Sequence, residues 1–174
     1  SLSNAILNKE RVIVSDIEGT TRDSIDTRFT RDGQEYVVID TAGLKKNGKA
    51  YEAVDKYAAL RALSAIERSD VVLLVIDGSV GIQEQDKAII SHAVEENKPA
   101  IIIVNKWDIV DKDETSTEKF KKKIQENFKF MSYAPVLFVS AKTKQRVFQI
   151  TENIARVYNN SCKHIQTSVI NEII

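Results

Sequence analysis

The 174 residues include a single cysteine, Cys162. An internal disulfide is therefore excluded, and a lone thiol with no His or Cys cluster near it is an inert side chain rather than a ligand or nucleophile. Net charge is also lacking, since 25 Lys and Arg residues balance 25 Asp and Glu residues. That balance removes any general electrostatic reason for this segment to hold nucleic acid or a membrane surface. Long hydrophobic runs are missing too. The longest, residues 71–76 and 100–104, fall far short of the roughly 20 residues a helix needs to cross a bilayer. No charged-then-apolar signal segment opens the chain, and there is no internal repeat or low-complexity tract. A soluble protein of the reducing cytoplasm, with no membrane partner, is the expectation. What is present, 43% hydrophobic and 29% charged residues, is the balance of one compact domain with a substantial core.

Apolar runs rich in β-branched residues alternate with stretches of helical period, the pattern of an α/β domain around a mostly parallel sheet. The predicted strands are residues 24–30, 34–40, 70–77, 100–105 and 134–140. The first two read as an antiparallel pair turned at Asp32-Gly33, and the later ones as short runs buried on both faces. Helices are predicted over residues 52–68, 83–97, 115–130 and 144–158, with no Gly or Pro inside the first two. Ala88, Ile89, His92 and Ala93 form the apolar stripe of the second. The third opens with a capping box, Thr115 to Glu118, and spaces Phe120, Ile124 and Phe128 four apart. Val147, Ile150, Ile154 and Val157 share a face of the last.

Open parallel sheets bind ligands at the carboxyl ends of their strands, and the unusual polar clusters fall there. The most specific is Asn105-Lys106-Trp107-Asp108, directly after the apolar run 100–104. A carboxylate at Asp108 can accept two hydrogen bonds from the N1–H and exocyclic amine of guanine, whereas adenine has no such donor pair on that edge. Asn105 is expected to brace the loop and the stem of Lys106 to cover one face of the base. Ser140-Ala141-Lys142, at the next strand end, can offer a backbone N–H to the guanine oxygen. The second cluster, Asp40-Thr41-Ala42-Gly43-Leu44, resembles the magnesium and γ-phosphate sensor of GTPases. Asp40 is expected to hold Mg²⁺ through a water, and the Gly43 backbone can approach a phosphate closely. The third, Glu18-Gly19-Thr20-Thr21-Arg22-Asp23, offers hydroxyls on a polar loop, with Thr21 the favoured metal ligand and Thr20 the runner-up. Taken singly, the second cluster also fits a simple glycine turn and the third a helix cap.

In this order the clusters resemble the P-loop GTPase superfamily, with its three-layer α/β/α, Ras-like domain. The closer resemblance is to the EngA/Der family, and specifically to the second GTPase domain of its members. It is carried by Asn4-Ala5-Ile6-Leu7, Arg11-Val12-Ile13-Val14-Ser15-Asp16, Gly19 to Asp23, Asp40 to Leu44, Gly48-Lys49, Tyr51-Glu52, Arg61-Ala62-Leu63, Ser69 to Val72 and Asn105 to Asp108. Residues 1–162 would then form the GTPase domain. Thr167-Ser168-Val169-Ile170-Asn171 resembles the lead into the family's KH-like domain, so residues 163–174 read as linker and the start of that domain. The resemblance implies GTP and GDP as ligands, Mg²⁺ and K⁺ as ions, and a second GTPase domain in the same natural chain. It further implies the large ribosomal subunit or its rRNA as partner.

One departure stands at the front. The family's phosphate-binding loop, glycine, four residues, then glycine-lysine-serine, should end immediately before Ser1, together with the first strand of the sheet. Residues upstream of Ser1 are therefore expected in the natural protein. The segment from Gly43 to Ala50 nearly spells that loop, but Ala50 lacks the metal-binding hydroxyl, so it reads as a switch loop. Hydrolysis would rest on positioning and charge neutralisation. Leu44 stands where many GTPases carry a water-orienting glutamine, and the resemblance implies help from a bound K⁺ in its place. His92 reads as a core-edge histidine, Trp107 as packing beside the base loop, and Lys119, Lys121, Lys122 and Lys123 as a solvated helix face. Two alternatives stay open: the G domain of a tRNA-modification GTPase of the MnmE/TrmE kind, and a non-catalytic interaction module.

Overall fold

In the computed structural model, residues 2–7, 13–15, 25–40, 51–110 and 115–163 are described, with side chains except at 13–15, 25, 40 and 51–59. The elements run α1 (Leu2–Leu7), β1 (Ile13–Ser15), β2 (Ile25–Arg31), β3 (Gln34–Asp40), α2 (Tyr51–Arg68), β4 (Val72–Asp77), α3 (Glu84–Glu95), β5 (Ala100–Asn105), α4 (Ser116–Asn127), a 3-10 turn (Lys129–Met131), β6 (Val136–Phe138) and α5 (Phe148–Ser161). The strands β4, β5 and β6 pair in parallel in that order, with Asp77 opposite Asn105 and Val104 opposite Phe138. This register brings the carboxyl ends of β4 and β5 level. The strands β1, β2 and β3 pair antiparallel.

The β2–β3 hairpin turns at Asp32-Gly33 as the sequence pattern predicts. Both residues have positive φ, 52° and 78°, which matches the handedness of a two-residue hairpin turn to the strand twist. Helix α1 and strand β1 were not among the predicted elements, because six and three residues carry too little periodicity to register. Strand β5 is buried on both faces. Ile102 and Val104 enter one core with Ile66, Leu74, Ile90, Trp107, Ile124, Phe128 and Phe138. Ile101 and Ile103 enter the other with Ala5, Ile6, Phe29, Val139, Val147 and Ile150. Helices therefore cover both faces of the parallel strands, giving three layers, and each fully buried Ile of β5 contributes roughly 1.5–3 kcal/mol of hydrophobic stabilisation.

Local details depart from the predicted ones. Thr115 sits in helical conformation and makes no side-chain cap hydrogen bond, so the predicted capping box does not form. Glu118 instead accepts from the Lys121 ammonium at 3.0 Å. The reciprocal contact occurs on α3, where the Asp86 carboxylate accepts the Gln83 N–H at 2.8 Å. Helix α4 stops at Asn127 and the chain tightens into the 3-10 turn rather than continuing to residue 130. On α3 the buried stripe is Ile90 and Ala93 with Ile89 packed against it, while Ala88 is exposed. Helix α5 begins at Phe148, later than predicted, with the buried Val147 just before it, and buries Ile150 with Ile154 and Val157 alongside. His92 is largely buried, 3.7 Å from Glu95 and 4.0 Å from Glu67. The Arg68 guanidinium donates twice to the Asp26 carboxylate, at 2.7 and 2.9 Å, tying the end of α2 to β2.

Candidate nucleotide-binding site

Three loops leave the carboxyl ends of β4, β5 and β6 side by side, and a lattice of hydrogen bonds joins them. The Asn105 side-chain oxygen accepts the Ala141 N–H at 3.0 Å, bridging the loops after β5 and β6. The Asn105 carbonyl accepts the Gly78 N–H at 2.8 Å, bridging to the loop after β4. The Trp107 N–H donates to the Val139 carbonyl at 3.0 Å. Asn105 thus ties the loop after β5 to both neighbouring loops.

Trp107 lies within the core rather than beside the loop. It is 4% exposed, with its ring edge-on to Phe120 at 5.7 Å and tilted against Phe138 at 4.5 Å. Its part in any ligand contact is therefore indirect: the buried indole anchors the segment whose other side chains reach outward. Lys106 takes a left-handed backbone conformation, φ 60°, which costs a residue with a Cβ roughly 1–2 kcal/mol. Its ammonium meets the Asp77 carboxylate at 2.5 Å. Asp108 is half-buried at the turn that follows, where the Ile109 N–H returns to the Lys106 carbonyl at 3.2 Å.

Ser140 is fully buried. Its hydroxyl oxygen accepts the Thr143 N–H at 3.1 Å, and its own N–H donates to the Gln145 carbonyl at 3.1 Å. These bonds, with positive φ at Lys144 (60°) and Arg146 (57°), curl the loop after β6 back on itself. Of the backbone donors that Ser140-Ala141-Lys142 could offer a guanine oxygen, the Ala141 N–H is engaged by Asn105 in this structure. A base oxygen would have to share that donor or turn to the next backbone N–H, that of Lys142, whose side chain is exposed.

The phosphate and metal side falls mostly elsewhere. Thr20, Thr21, Thr41, Ala42, Gly43 and Leu44 lie outside the described residues. Asp40 is the last residue of β3, its backbone opposite Ile25. What sequence reasoning missed is the corner Asp77-Gly78-Ser79. The Lys106 ammonium, aided by the Ser79 hydroxyl and N–H, holds the Asp77 carboxyl well below the usual carboxylate range, at about 2. A Cβ on Gly78 would stand 3.0 Å from the Asn105 carbonyl oxygen, so any other residue there would push β5 aside. The available signal was position: Asp77 ends an apolar run at the same sheet edge as Asn105.

Residues 1–106 match the model of the 50S ribosome-binding GTPase family. The chain belongs to that family. Over all 174 residues it is 56% identical to GTPase Der of Geobacillus kaustophilus strain HTA426, and 52% identical to GTPase Der of Lactobacillus acidophilus. It spans 40% of the length of each. Solved structures share the fold at low identity. Era in complex with MgGDPNP and nucleotides 1506–1542 of 16S ribosomal RNA superposes with TM-score 0.68 and 22% identity over 90% of this chain and 51% of Era. A probable GTP-binding protein, EngB, gives 0.63 and 17% over 91% of both chains. The family's P-loop GTPase fold, α/β/α in three layers, is therefore the fold of this chain.

Proposed function

We propose that this chain is the guanine-nucleotide-binding, GTP-hydrolysing switch domain of a longer protein that acts in assembly of the large ribosomal subunit in the cytoplasm. The observation that carries the nucleotide half is the braced loop Asn105 to Asp108. It stands at the carboxyl end of a parallel sheet, where a carboxylate at Asp108 can pair with the two donors on the guanine edge. Lys106 covers a face of the base, and the loop from Ser140 through Ala141 to Lys142 supplies the donor to its oxygen. Trp107 anchors this machinery from the core.

Mg²⁺ would sit between Thr21, or Thr20, and Asp40, with Thr41, Ala42, Gly43 and Leu44 sensing the γ-phosphate. Those residue types fit a hard cation with oxygen ligands. The metal would neutralise phosphate charge, and the loop residues would position the attacking water and exclude bulk solvent. With Leu44 in place of a water-orienting amide, a bound K⁺ is the assigned aid to hydrolysis. Residues 1–162 make up the domain, and 163–174 lead toward a KH-like domain. The similarity to GTPase Der across all of this chain, and the fraction of Der's length that this chain spans, support a second GTPase domain and a ribosomal partner in the natural protein. The same similarity favours ribosome assembly over tRNA modification.

The test is an equilibrium titration of GDP and ADP against the complete natural protein, with GTP turnover measured in K⁺ and in Na⁺. Tight GDP binding, little ADP binding and turnover that falls when Na⁺ replaces K⁺ are expected. Failure of both nucleotides to bind would overturn the proposal and favour a non-catalytic module. Turnover indifferent to the cation would remove the K⁺ assignment alone.

A further inference from the structure

We propose that Asp77 is a positioning residue of the guanine-nucleotide site, holding the Lys106 ammonium so that the lysine stem is fixed where the base packs. This rests on the reading of residues 105–108 as the base-recognition loop, and extends it to a residue on a different strand.

The carboxylate is prepared for that task before it meets the lysine. Its Oδ1 accepts both the Ser79 hydroxyl at 2.6 Å and the Ser79 N–H at 3.0 Å. Oδ2 is thereby turned toward Lys106, whose Nζ it meets at 2.5 Å. Asp77 itself is carried by β4, which pairs residue for residue with β5 up to Asn105. The Gly78 N–H adds a further tie to the Asn105 carbonyl. The acceptor is therefore mounted on the rigid sheet, while the lysine it holds is on a loop. Lys106 needs such a hold, because its left-handed backbone sets the side chain's starting direction and its long aliphatic stem has several free torsions thereafter.

With its side chain 54% exposed, a free lysine at this position would sample many rotamers and lose conformational freedom on binding a base. Pinning its far end at Asp77 removes much of that loss in advance. The pair is half in solvent, so its benefit lies in arrangement rather than in strong attraction. An opposite reading of the same contact is a latch that a nucleotide must break. The two differ in the sign of their effect on affinity.

The experiment measures GDP affinity of the complete natural protein and its Asp77→Ala, Asp77→Asn, Lys106→Met and Asp77→Ala/Lys106→Met variants, with unfolding followed for each nucleotide-free form. Asp77→Ala is expected to weaken GDP binding about fivefold, in line with a positional effect of an exposed pair. Asp77→Asn, which keeps one acceptor oxygen for either Ser79 or Lys106 and loses the charge, should weaken it no more than Asp77→Ala does. In the Lys106→Met background the Asp77→Ala change should add nothing, since the group it positions is gone. That loss of additivity is a readout a merely structural Asp77 would not give. Unchanged or tighter GDP binding by Asp77→Ala, or an equal penalty in the Lys106→Met background, would overturn the proposal while leaving guanine recognition intact. Absence of GDP binding by the unsubstituted protein would overturn both.

Discussion

Gly78→Ala isolates the steric logic that joins β4 to the candidate site. The added Cβ would lie 3.0 Å from the Asn105 carbonyl oxygen, 3.1 Å from Val104 Cγ1 and 3.1 Å from Val110 Cγ2. Ordinary carbon contacts are about 3.5–4.0 Å, so all three neighbours must retreat by several tenths of an ångström. The carbonyl cannot do so freely, because it accepts the Gly78 N–H at 2.8 Å from the residue that is being enlarged. Overpacking of this kind costs about 1–3 kcal/mol, and stretching the hydrogen bond adds part of its own 0.5–1.5 kcal/mol or so. A destabilisation of about 2 kcal/mol corresponds to roughly 30-fold more frequent opening. Amide hydrogen exchange, resolved by mass spectrometry in the complete protein, should show that acceleration in Val72–Asp77 and Ala100–Asn105. Gly33→Ala is the control: its Cβ meets nothing within 4 Å, and only the positive φ of 78° resists it. That strain, roughly 1 kcal/mol, should remain local to the β2–β3 turn. Exchange in β4 and β5 of Gly78→Ala indistinguishable from the unsubstituted protein would refute the packing argument.

Two further outcomes follow from the same geometry. Trp107→Ala removes a buried indole packed on Phe120 and Phe138, and should cost about 3–5 kcal/mol. Exchange should rise in β5 and α4 and GDP affinity should fall, although the indole itself touches no ligand. The Asp77 carboxyl, at about 2 in the folded protein, lies below its unfolded value of about 3.9. Its stabilising contribution is therefore present above about pH 4 and lost as pH falls through about 2. An NMR titration of the Asp77 carboxyl should give a midpoint near 2 that rises in Lys106→Met, and a midpoint near 4 in the unsubstituted protein would contradict the ion pair.

The parallel half of the fold was legible because buried strands are written as unbroken apolar runs. Residues 100–105 are such a run, and β5 has those bounds. The hairpin was legible through Asp32-Gly33, a dipeptide that tolerates the positive φ its turn requires. Capping was misplaced because Thr115 to Glu118 has the right residue types at the right spacing, while the backbone of Thr115 stays helical. Only tertiary context decides that. Within the site, Asn105, Lys106 and Asp108 were readable from one contiguous motif. Trp107 was read in its place but not in its depth, since a polar loop does not reveal that one of its members faces inward. Asp77 escaped notice because its partner lies 29 positions away in sequence (106 − 77) and becomes adjacent only through the β4–β5 register. Glycine at position 78 is explained by a neighbour's carbonyl, which no local pattern contains.

The central claim is that the Asp108 carboxylate reads the guanine edge, and exchanging its chemistry tests this most directly. Asp108→Asn replaces two acceptors with one acceptor and one donor, which suits xanthine, where a carbonyl stands in place of the exocyclic amine. Equilibrium titration of the complete protein with GDP and XDP should show the variant losing GDP affinity by roughly 10- to 100-fold or more while gaining XDP binding. Equal GDP affinity in Asp108→Asn and the unsubstituted protein, with no gain for XDP, would contradict the assignment of this loop to base recognition.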